Sequence, residues 1–414
     1  MPKSFHHALR LLALAAAILG TQGSAPAASC PGMTDLISHG AYGVADSSGR
    51  ITAGCNLDES LMPASIIKVA TVLAAMRILG PDYHFATEFY QDQLGNLYIR
   101  GLGDPTLVSE EVARIATRLR SLGLTRVATL FVDDSAFALE GPMPGQSASA
   151  NPYDAPVAAL AVNFNTLAIV KTQAGIASGE AQTPELPLMQ ELARNQASGR
   201  MRLNVCMGGA DTEQCSIRYA EELFRALLEQ AGIRVEGLGG RGVVPQDARL
   251  LLRYESSGNL ELIAQDLMRS SSNFIANLLF LQAGAKRYGF PATWAKGQKM
   301  MQAELRELLG PKAAVHLVEA SGISRQDRVS CRSMLTILQR FRPYRGVLQQ
   351  QHGVASKSGT MSGVYNLAGY LPDGRAYVIM LNQPKNTRDR VLARLQGRDQ
   401  AADRGRRQGR SRKK

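Results

Sequence analysis

Histidine and tryptophan are scarce in this 414-residue chain, with six of the first and one of the second. There is no CxxC, no HExxH and no pair of histidines at helical spacing, so none of the usual zinc-ligand patterns is present and no metal is called for. Only His39, His84, His316 and His352 lie beyond the first 28 residues, and no Gly-x-Ser-x-Gly elbow occurs. A histidine-dependent serine hydrolase is therefore disfavoured. Long apolar runs are missing too: the stretch from Leu11 to Leu19 is too short to span a bilayer. No repeat of solenoid length is visible. With 45% hydrophobic and 20% charged residues, the composition is that of a globular chain with a large core or two to three domains, which argues against disorder throughout.

What is present at the two ends points to export. Lys3 and Arg10 accompany the short apolar run, and Ala25-Pro26-Ala27 supplies the small residues a signal peptidase needs. A signal peptide over 1–27 is expected, with the mature chain starting near Ala28 in a periplasmic or other extracytoplasmic compartment. Ala27 stands where a lipoprotein signal has a larger aliphatic residue, so Cys30 does not read as a lipid anchor. Half of the +12 net charge lies in Arg398–Lys414, where eight basic residues face Asp399 and Asp403. This 398–414 segment reads as a solvated, disordered tail that can touch an anionic envelope surface. It has no aromatic residues and adjoins no nucleic-acid module, so nucleic acid is not an expected partner. Five cysteines in an exported chain permit disulfides. Cys206 and Cys215 flank a Gly/Asp-rich loop and suit a bridge, Cys30 with Cys55 is a second possibility, and Cys331 is left over as a buried small hydrophobe.

The pattern along the chain suggests one helix-and-sheet unit interrupted by a long insert. A hairpin is expected around Asp46–Arg50, then a helix buried nearly all round, started by Pro63 and stopped at Gly80. From about His84 to Gln246 short strands alternate with Gly/Pro/Asp turns, an α/β or mostly β insert. Asp104 and Asp134 read as turn residues within it. Helices return from about Arg249, the stretch from Gly353 to Gln383 reads as antiparallel strands joined by the turn Pro372-Asp373-Gly374, and NTRDRVLARLQ makes a terminal helix. The expected division is 28–84 with 247–397 for the main domain and 85–246 for the insert.

Three short motifs carry the chemistry. Ser65 and Lys68 are three apart at the start of the buried helix, so their side chains share a face. A serine hydroxyl is a poor nucleophile until a base removes its proton, and a neutral lysine amine can do so. Lowering a lysine pKa to about 7 takes roughly 4 to 5 kcal/mol of bias, within reach of burial and a second cation. Ser271-Ser272-Asn273 interrupts a helical segment, and Lys357-Ser358-Gly359 sits on a strand, where glycine lets a substrate lie against the backbone. Singly, each has an innocent explanation: a helix surface, a helix start, an edge lysine before a bulge. In this order they match the active-site motifs of penicillin-binding proteins and serine β-lactamases.

The chain closely resembles the low-molecular-mass class C penicillin-binding proteins, the D-alanyl-D-alanine carboxypeptidase/endopeptidase family (peptidase family S13), from about Gly40 to Asn382. PASIIKVAT, RGLGDPTL, VDDSAF, NPYDAPVAALAVNFNT, SSSNFIANLL, ASGISR and KSGTMSGVYNLAGYL carry the likeness. Several of these lie in the insert, which β-lactamases lack. The resemblance implies an α/β (α+β) transpeptidase-like domain, an antiparallel sheet with helices, and a serine-type D-Ala-D-Ala carboxypeptidase or D,D-endopeptidase acting on peptidoglycan stem peptides. It implies that Ser65 is acylated, that Lys68 is the base and that Ser271 with Asn273 relays protons and orients the peptide. Lys357 would hold the terminal carboxylate beside Ser358 and Gly359, and the backbone N–H groups of Ser65 and Thr360 would form the oxyanion hole. Tyr153, Asp154 and Arg325 become candidates for reading the stem-peptide side chain, although Asp154, between Pro152 and Pro156, fits a turn cap equally well. β-Lactams are expected as covalent inhibitors, and no organic cofactor is implied.

The departures are Lys-Ser-Gly for Lys-Thr-Gly, which keeps the hydroxyl, Glu319-Ala320 in a loop that in the family has Asp-Gly-Ser-Gly, and a somewhat shorter insert. A β-lactamase would need a deacylating glutamate, and none is identifiable. The alternative of another class is a non-catalytic envelope-binding protein on the same fold, which has no use for a lysine beside a nucleophile.

Overall fold

The computed structural model describes residues 30–398 apart from 210, 312 and 314. The expected leader, 1–27, and the basic tail beyond Arg398 lie outside the described residues. Among the described residues no helix is long and apolar enough to cross a membrane.

Asp46 closes the first hairpin, its backbone N–H donating to Arg50 and its carboxylate accepting from the N–H groups of Ser48 and Arg50. The hairpin joins β1 (Gly40–Ala45) to β2 (Ile51–Cys55). A short β3 (Ser60–Leu61) leads into a 3-10 turn, Ala64–Ile67, and then α1 (Lys68–Ile78), every residue of which is buried through Met76. The helix stops before Gly80, whose φ of +91° suits glycine.

The insert starts with β4 (His84–Gln91), β5 (Leu97–Gly101), α2 (Ser109–Ser121) and β6 (Arg126–Asp133). A hairpin of β7 (Thr166–Thr172) and β8 (Gly175–Ser178) follows, then α3 (Pro187–Ala193), β9 (Gly199–Asn204), α4 (Thr212–Gln230), β10 (Arg234–Arg241) and β11 (Arg249–Asn259). It holds two sheets, one of five strands in the order β10-β6-β5-β4-β11 and one of three in the order β8-β7-β9. α2 and α4 pack on the larger sheet, and the insert has its own apolar core of residues such as Phe89, Leu130, Leu223 and Phe224. β11 pairs along β4 from Arg249↔Gln91 to Asn259↔His84. The sequence reading ends the insert at 246. Hydrogen bonding to β4 keeps the chain on that sheet as far as Asn259, with Leu251, Leu252 and Tyr254 packed against the insert's apolar core.

The chain then runs through α5 (Leu260–Ser270), α6 (Asn273–Tyr288), α7 (Trp294–Leu309), β12 (Val315–His316), β13 (Arg328–Ser330) and α8 (Cys331–Phe341). Each of the four helices starts on a polar side chain that accepts from a first-turn N–H: Asn259, Ser272, Thr293 and Ser330. The last stretch is β14 (Gln349–Gln351), β15 (Val354–Met361), β16 (Val364–Tyr370), β17 (Ala376–Leu381) and α9 (Arg388–Leu395). These strands complete an antiparallel sheet in the order β14-β15-β16-β17-β1-β2. Its two faces are apolar for different reasons. Ala368, Val378 and Met380 face the helical core around α1, α6 and α8, while Val44, Leu367, Tyr377 and Ile379 face a second cluster made by residues 30–37 and α9.

Cys30–Cys55 and Cys206–Cys215 are disulfide-bonded and Cys331 is buried and free, as the spacing suggested.

Candidate active site

Met62 and Pro63 bring the chain off β3 and into the turn that carries Ser65. Two asparagines from the sheet fix this entry. Asn366 of β16 donates to the carbonyls of Met62 and Pro63, each at 2.8 Å, and Asn382 accepts from the Met62 N–H at 2.8 Å. Ala64 then takes a φ of +46°, costly for a residue with a Cβ and tolerated at over-determined sites. The result is that the Ser65 turn lies directly against β15. A Cβ at Gly359 would come within 2.8 Å of Pro63 O, 2.9 Å of Ser65 N and 3.0 Å of Ile66 N, so glycine is required for this approach.

Lys68 opens α1, one turn after Ser65, and is 0% exposed. Its ammonium has three partners: Ser65 Oγ at 2.9 Å, Asn273 Oδ1 at 2.9 Å and Ser321 O at 2.7 Å. Burial pushes its pKa down to about 7, with a further push from Lys357, while Glu319 acts in the opposite sense. A lysine with this environment can be neutral near physiological pH and take a proton from Ser65.

Ser271 and Asn273 mark a break in what the sequence reads as helix. Ser271 caps the end of α5 at φ +55°, and Ser272 caps the start of α6. Asn273 is therefore the first residue of α6 and reaches Lys68, while Ser271 Oγ makes no hydrogen bond among the described residues and is half-buried. Lys357 is 3% exposed and donates to Ser358 O at 2.9 Å. Burial, followed by the Arg388 guanidinium, pushes its pKa down to about 8. Ser358, Gly359 and Thr360 continue along β15 past the end of its pairing with β14, so this stretch is hydrogen-bonded only to β16. An unpaired strand edge offers N–H and C=O groups to an extended peptide.

Of the three candidates for side-chain reading, Tyr153 is 56% exposed and its carbonyl accepts from Asn273 Nδ2 at 3.3 Å, which brings the insert to the rim of the site. Arg325 is exposed and donates to Ser362 O at 2.9 Å, beside the end of β15. Asp154 is different. It is 1% exposed, with one carboxylate oxygen accepting from Ser147 N–H and the other from Ser149 Oγ–H. Those bonds occupy it as the cap of its own loop, and the turn-cap reading holds over substrate recognition.

Sequence reasoning missed the support under the base. Glu319 is 0% exposed and accepts from the N–H groups of Ser321 and Gly322, each at 2.6 Å, and from Asn277 Nδ2 at 3.1 Å. It thereby shapes the loop whose Ser321 carbonyl meets Lys68 and whose Ala320 carbonyl meets Thr71. Asp327 lies beside it, and burial plus the neighbouring Glu319 raise the Asp327 pKa well above the usual carboxylate range. Only the position of Glu319 in a motif-like run hinted at this. Arg388 was missed as well, in a helix the sequence marks only as terminal. It is 18% exposed and donates from Nη1 to Thr360 Oγ1 at 2.9 Å and to Asn366 O at 3.3 Å. No cluster of side chains among the described residues could hold a metal ion.

Comparisons with known proteins show which proteins this chain is similar to. The family model of the D-Ala-D-Ala carboxypeptidase 3 (S13) family matches residues 44–345, which takes in Ser65, Lys68, Ser271 and Asn273 and stops short of β15. The D-alanyl-D-alanine carboxypeptidase of Actinomadura sp. (strain R39) is 27% identical over 385 residues, covering 76% of this chain and 71% of that protein. The D-alanyl-D-alanine carboxypeptidase DacB of Haemophilus influenzae is 24% identical over 400 residues, 80% of this chain and 83% of its own. The crystal structure of penicillin binding protein 4 (dacB) from Haemophilus influenzae shares the fold, with a TM-score of 0.68 at 20% identity over 86% of this chain and 93% of that one. With the family model spanning most of its length, this chain belongs to the D-Ala-D-Ala carboxypeptidase 3 (S13) family.

Proposed function

We propose that the protein is a serine-type D-Ala-D-Ala carboxypeptidase of peptidoglycan stem peptides in which Ser65 forms the acyl-enzyme. The observation that carries the reading is Lys68: wholly buried, 2.9 Å from Ser65 Oγ and with its pKa lowered to about 7. Neutral Lys68 takes the Ser65 proton as Oγ attacks the carbonyl of the penultimate D-Ala. Negative charge on that oxygen is met by the N–H groups of Ser65 and Thr360, a role supported by the close approach of β15 at Gly359 to the Ser65 turn. Ser271 passes a proton toward the leaving amine, Asn273 holds Lys68 and the peptide, and D-Ala departs. Water then attacks the ester, Lys68 again serving as base, and the shortened peptide is released. When the leaving amine belongs to a neighbouring stem peptide, the same steps cut a cross-link and the enzyme acts as a D,D-endopeptidase.

Lys357 is assigned to the substrate's terminal carboxylate, with Ser358, Gly359 and Thr360 following it on β15, and Tyr153 and Arg325 to the rest of the stem peptide. We place the enzyme outside the cytoplasm, a reading supported by two disulfides and by the leader-like residues 1–27. Its basic tail then faces the anionic envelope. β-Lactams acylate the same serine and leave it slowly.

The test is to incubate the mature protein, and its Ser65→Ala variant, with a labelled penicillin and map the modified peptide by mass. A stable adduct on Ser65 that the variant lacks is expected. A folded wild-type protein that takes no label would overturn acylation and favour a binding protein on this fold.

A further inference from the structure

The carboxylate end of the site contains two cations, Lys357 and Arg388, and among the described residues the one carboxylate paired with either is that of Asp389, on Arg388. Arg388 reaches over β15 and β16 from the first turn of α9, with Nη1 on Thr360 Oγ1 at 2.9 Å and on Asn366 O at 3.3 Å. Its Nε is buried and makes no hydrogen bond, and the carboxylate nearest to it, that of the exposed Asp389, stands 3.6 Å away. Such a group is costly to leave without a partner. Arg388 also lies near enough to Lys357 to depress the ammonium's pKa, so the two charges repel across the strand. No other ion pair of either residue occurs among the described residues. Arg388 does not come from the part of the chain that carries the three motifs, and α9 is held in place on the sheet's far face by residues 30–37: Leu36, Val391 and Leu392 share one apolar cluster, and Arg394 pairs with Asp35 at 2.6 Å.

We infer that Arg388 is a second binding residue for the substrate's terminal carboxylate, acting with Lys357 and aligning the Thr360 hydroxyl that receives its hydrogen bond. A carboxylate between Arg388 and Lys357 relieves their repulsion and meets two cations at once, whereas a neutral end group leaves Lys357 without a counter-charge and Arg388 with the exposed Asp389 alone. Because Arg388 donates to Thr360 Oγ1, that hydroxyl keeps its own proton free to donate to the carboxylate. The inference rests on the proposed function, since it assumes a peptide ending in a free acid.

The experiment measures kcat/KM for a pair of acyl-L-Lys-D-Ala-D-Ala peptides, one ending in the acid and one in the primary amide, with wild type, Arg388→Ala and Arg388→Lys. Charge-assisted hydrogen bonds of this kind correspond to roughly 10- to 100-fold in such ratios. Arg388→Ala is expected to lose that factor on the acid, mostly through KM, and to lose little on the amide, so that discrimination between the two shrinks. Arg388→Lys should recover part of it. Equal losses on both peptides, or an acid peptide handled within about twofold of wild type, would overturn the inference; the first would mark Arg388 as structural only. Wild type failing on the acid peptide while Ser65 also refuses penicillin counts against the proposed function. Wild type active with discrimination unchanged in Arg388→Ala counts against the arginine alone.

Discussion

Lys68 has to be neutral when Ser65 gives up its proton, and Lys357 has to be charged when the substrate's carboxylate arrives. Their lowered pKa values, about 7 and about 8, leave a narrow window in which both conditions hold. The free enzyme's kcat/KM on an acid-terminated peptide should therefore rise as pH climbs through about 7, where Lys68 loses its proton, and fall above about 8, where Lys357 loses its own. Burial chiefly sets the position of the first limb, then Lys357, and Glu319 shifts it the other way. Its carboxylate favours the charged form of Lys68, so Glu319→Gln, which removes that charge, should move the rising limb to lower pH. The same substitution keeps one acceptor oxygen and turns the other into an NH2 donor, so one of the backbone N–H groups of Ser321 and Gly322 loses its acceptor, at a stability cost on the order of 2 kcal/mol. A pH–rate profile and a thermal melt of the variant check the two parts separately, and a rising limb that stays put would remove Glu319 from the account of the base.

At the level of elements, the decisive contact is between β15 and the Ser65 turn, made through a glycine that has no room for a methyl group. Gly359→Ala is expected to push the strand from the nucleophile, slowing penicillin acylation of Ser65 by about 100-fold or more, while the fold loses only about 1 to 3 kcal/mol. Comparable acylation rates in the two proteins would mean that the strand does not supply the oxyanion site. This strand was readable in advance because Lys-Ser-Gly is a local pattern and the alternation around it is strong. The buried α1 was readable for a similar reason, since apolar residues surround it and Pro63 and Gly80 bound it. By contrast, the break at Ser271 was hidden: nothing in MRSSSNFIANLL forbids a continuous helix, and only the αL turn at Ser271 with the cap at Ser272 ends one helix and starts the next. The strand β11 was hidden because it carries a helix-like mix of leucine and arginine, and its partner β4 lies about 160 residues earlier in the chain, beyond the reach of local patterns. Arg388 and Asn366 were illegible for the same reason. Their roles come from tertiary contacts with residues far away in sequence: Arg388 sits in no motif, and Asn366, within KSGTMSGVYNLAGYL, is marked there by the resemblance and not by a role.

For the whole molecule, the two disulfides close loops in different places. Cys30–Cys55 ties the first described residues to the edge strand β2, while Cys206–Cys215 closes a short loop in the insert. Removing the first, as Cys30→Ser with Cys55→Ser, should cost about 3 kcal/mol of stability by the loop-entropy relation. Denaturant titration of the double variant measures this, and an unchanged midpoint would show that the segment is held by its apolar contacts alone. Because Met33, Leu36 and Ile37 share their cluster with α9, the loss should also loosen the helix that carries Arg388. Residues 30–37 and 388–395 are thus each other's support, although almost the whole chain separates them. A chain delivered from its N-terminus carries Ser65 and Lys68 early, but the asparagines that fix the Ser65 turn and the helix that seats beside residues 30–37 arrive only near its other end. A chain cut short of α9 would keep Lys357 on β15 and lose Arg388, so the proposed two-cation grip is complete only when the two ends of the described chain meet.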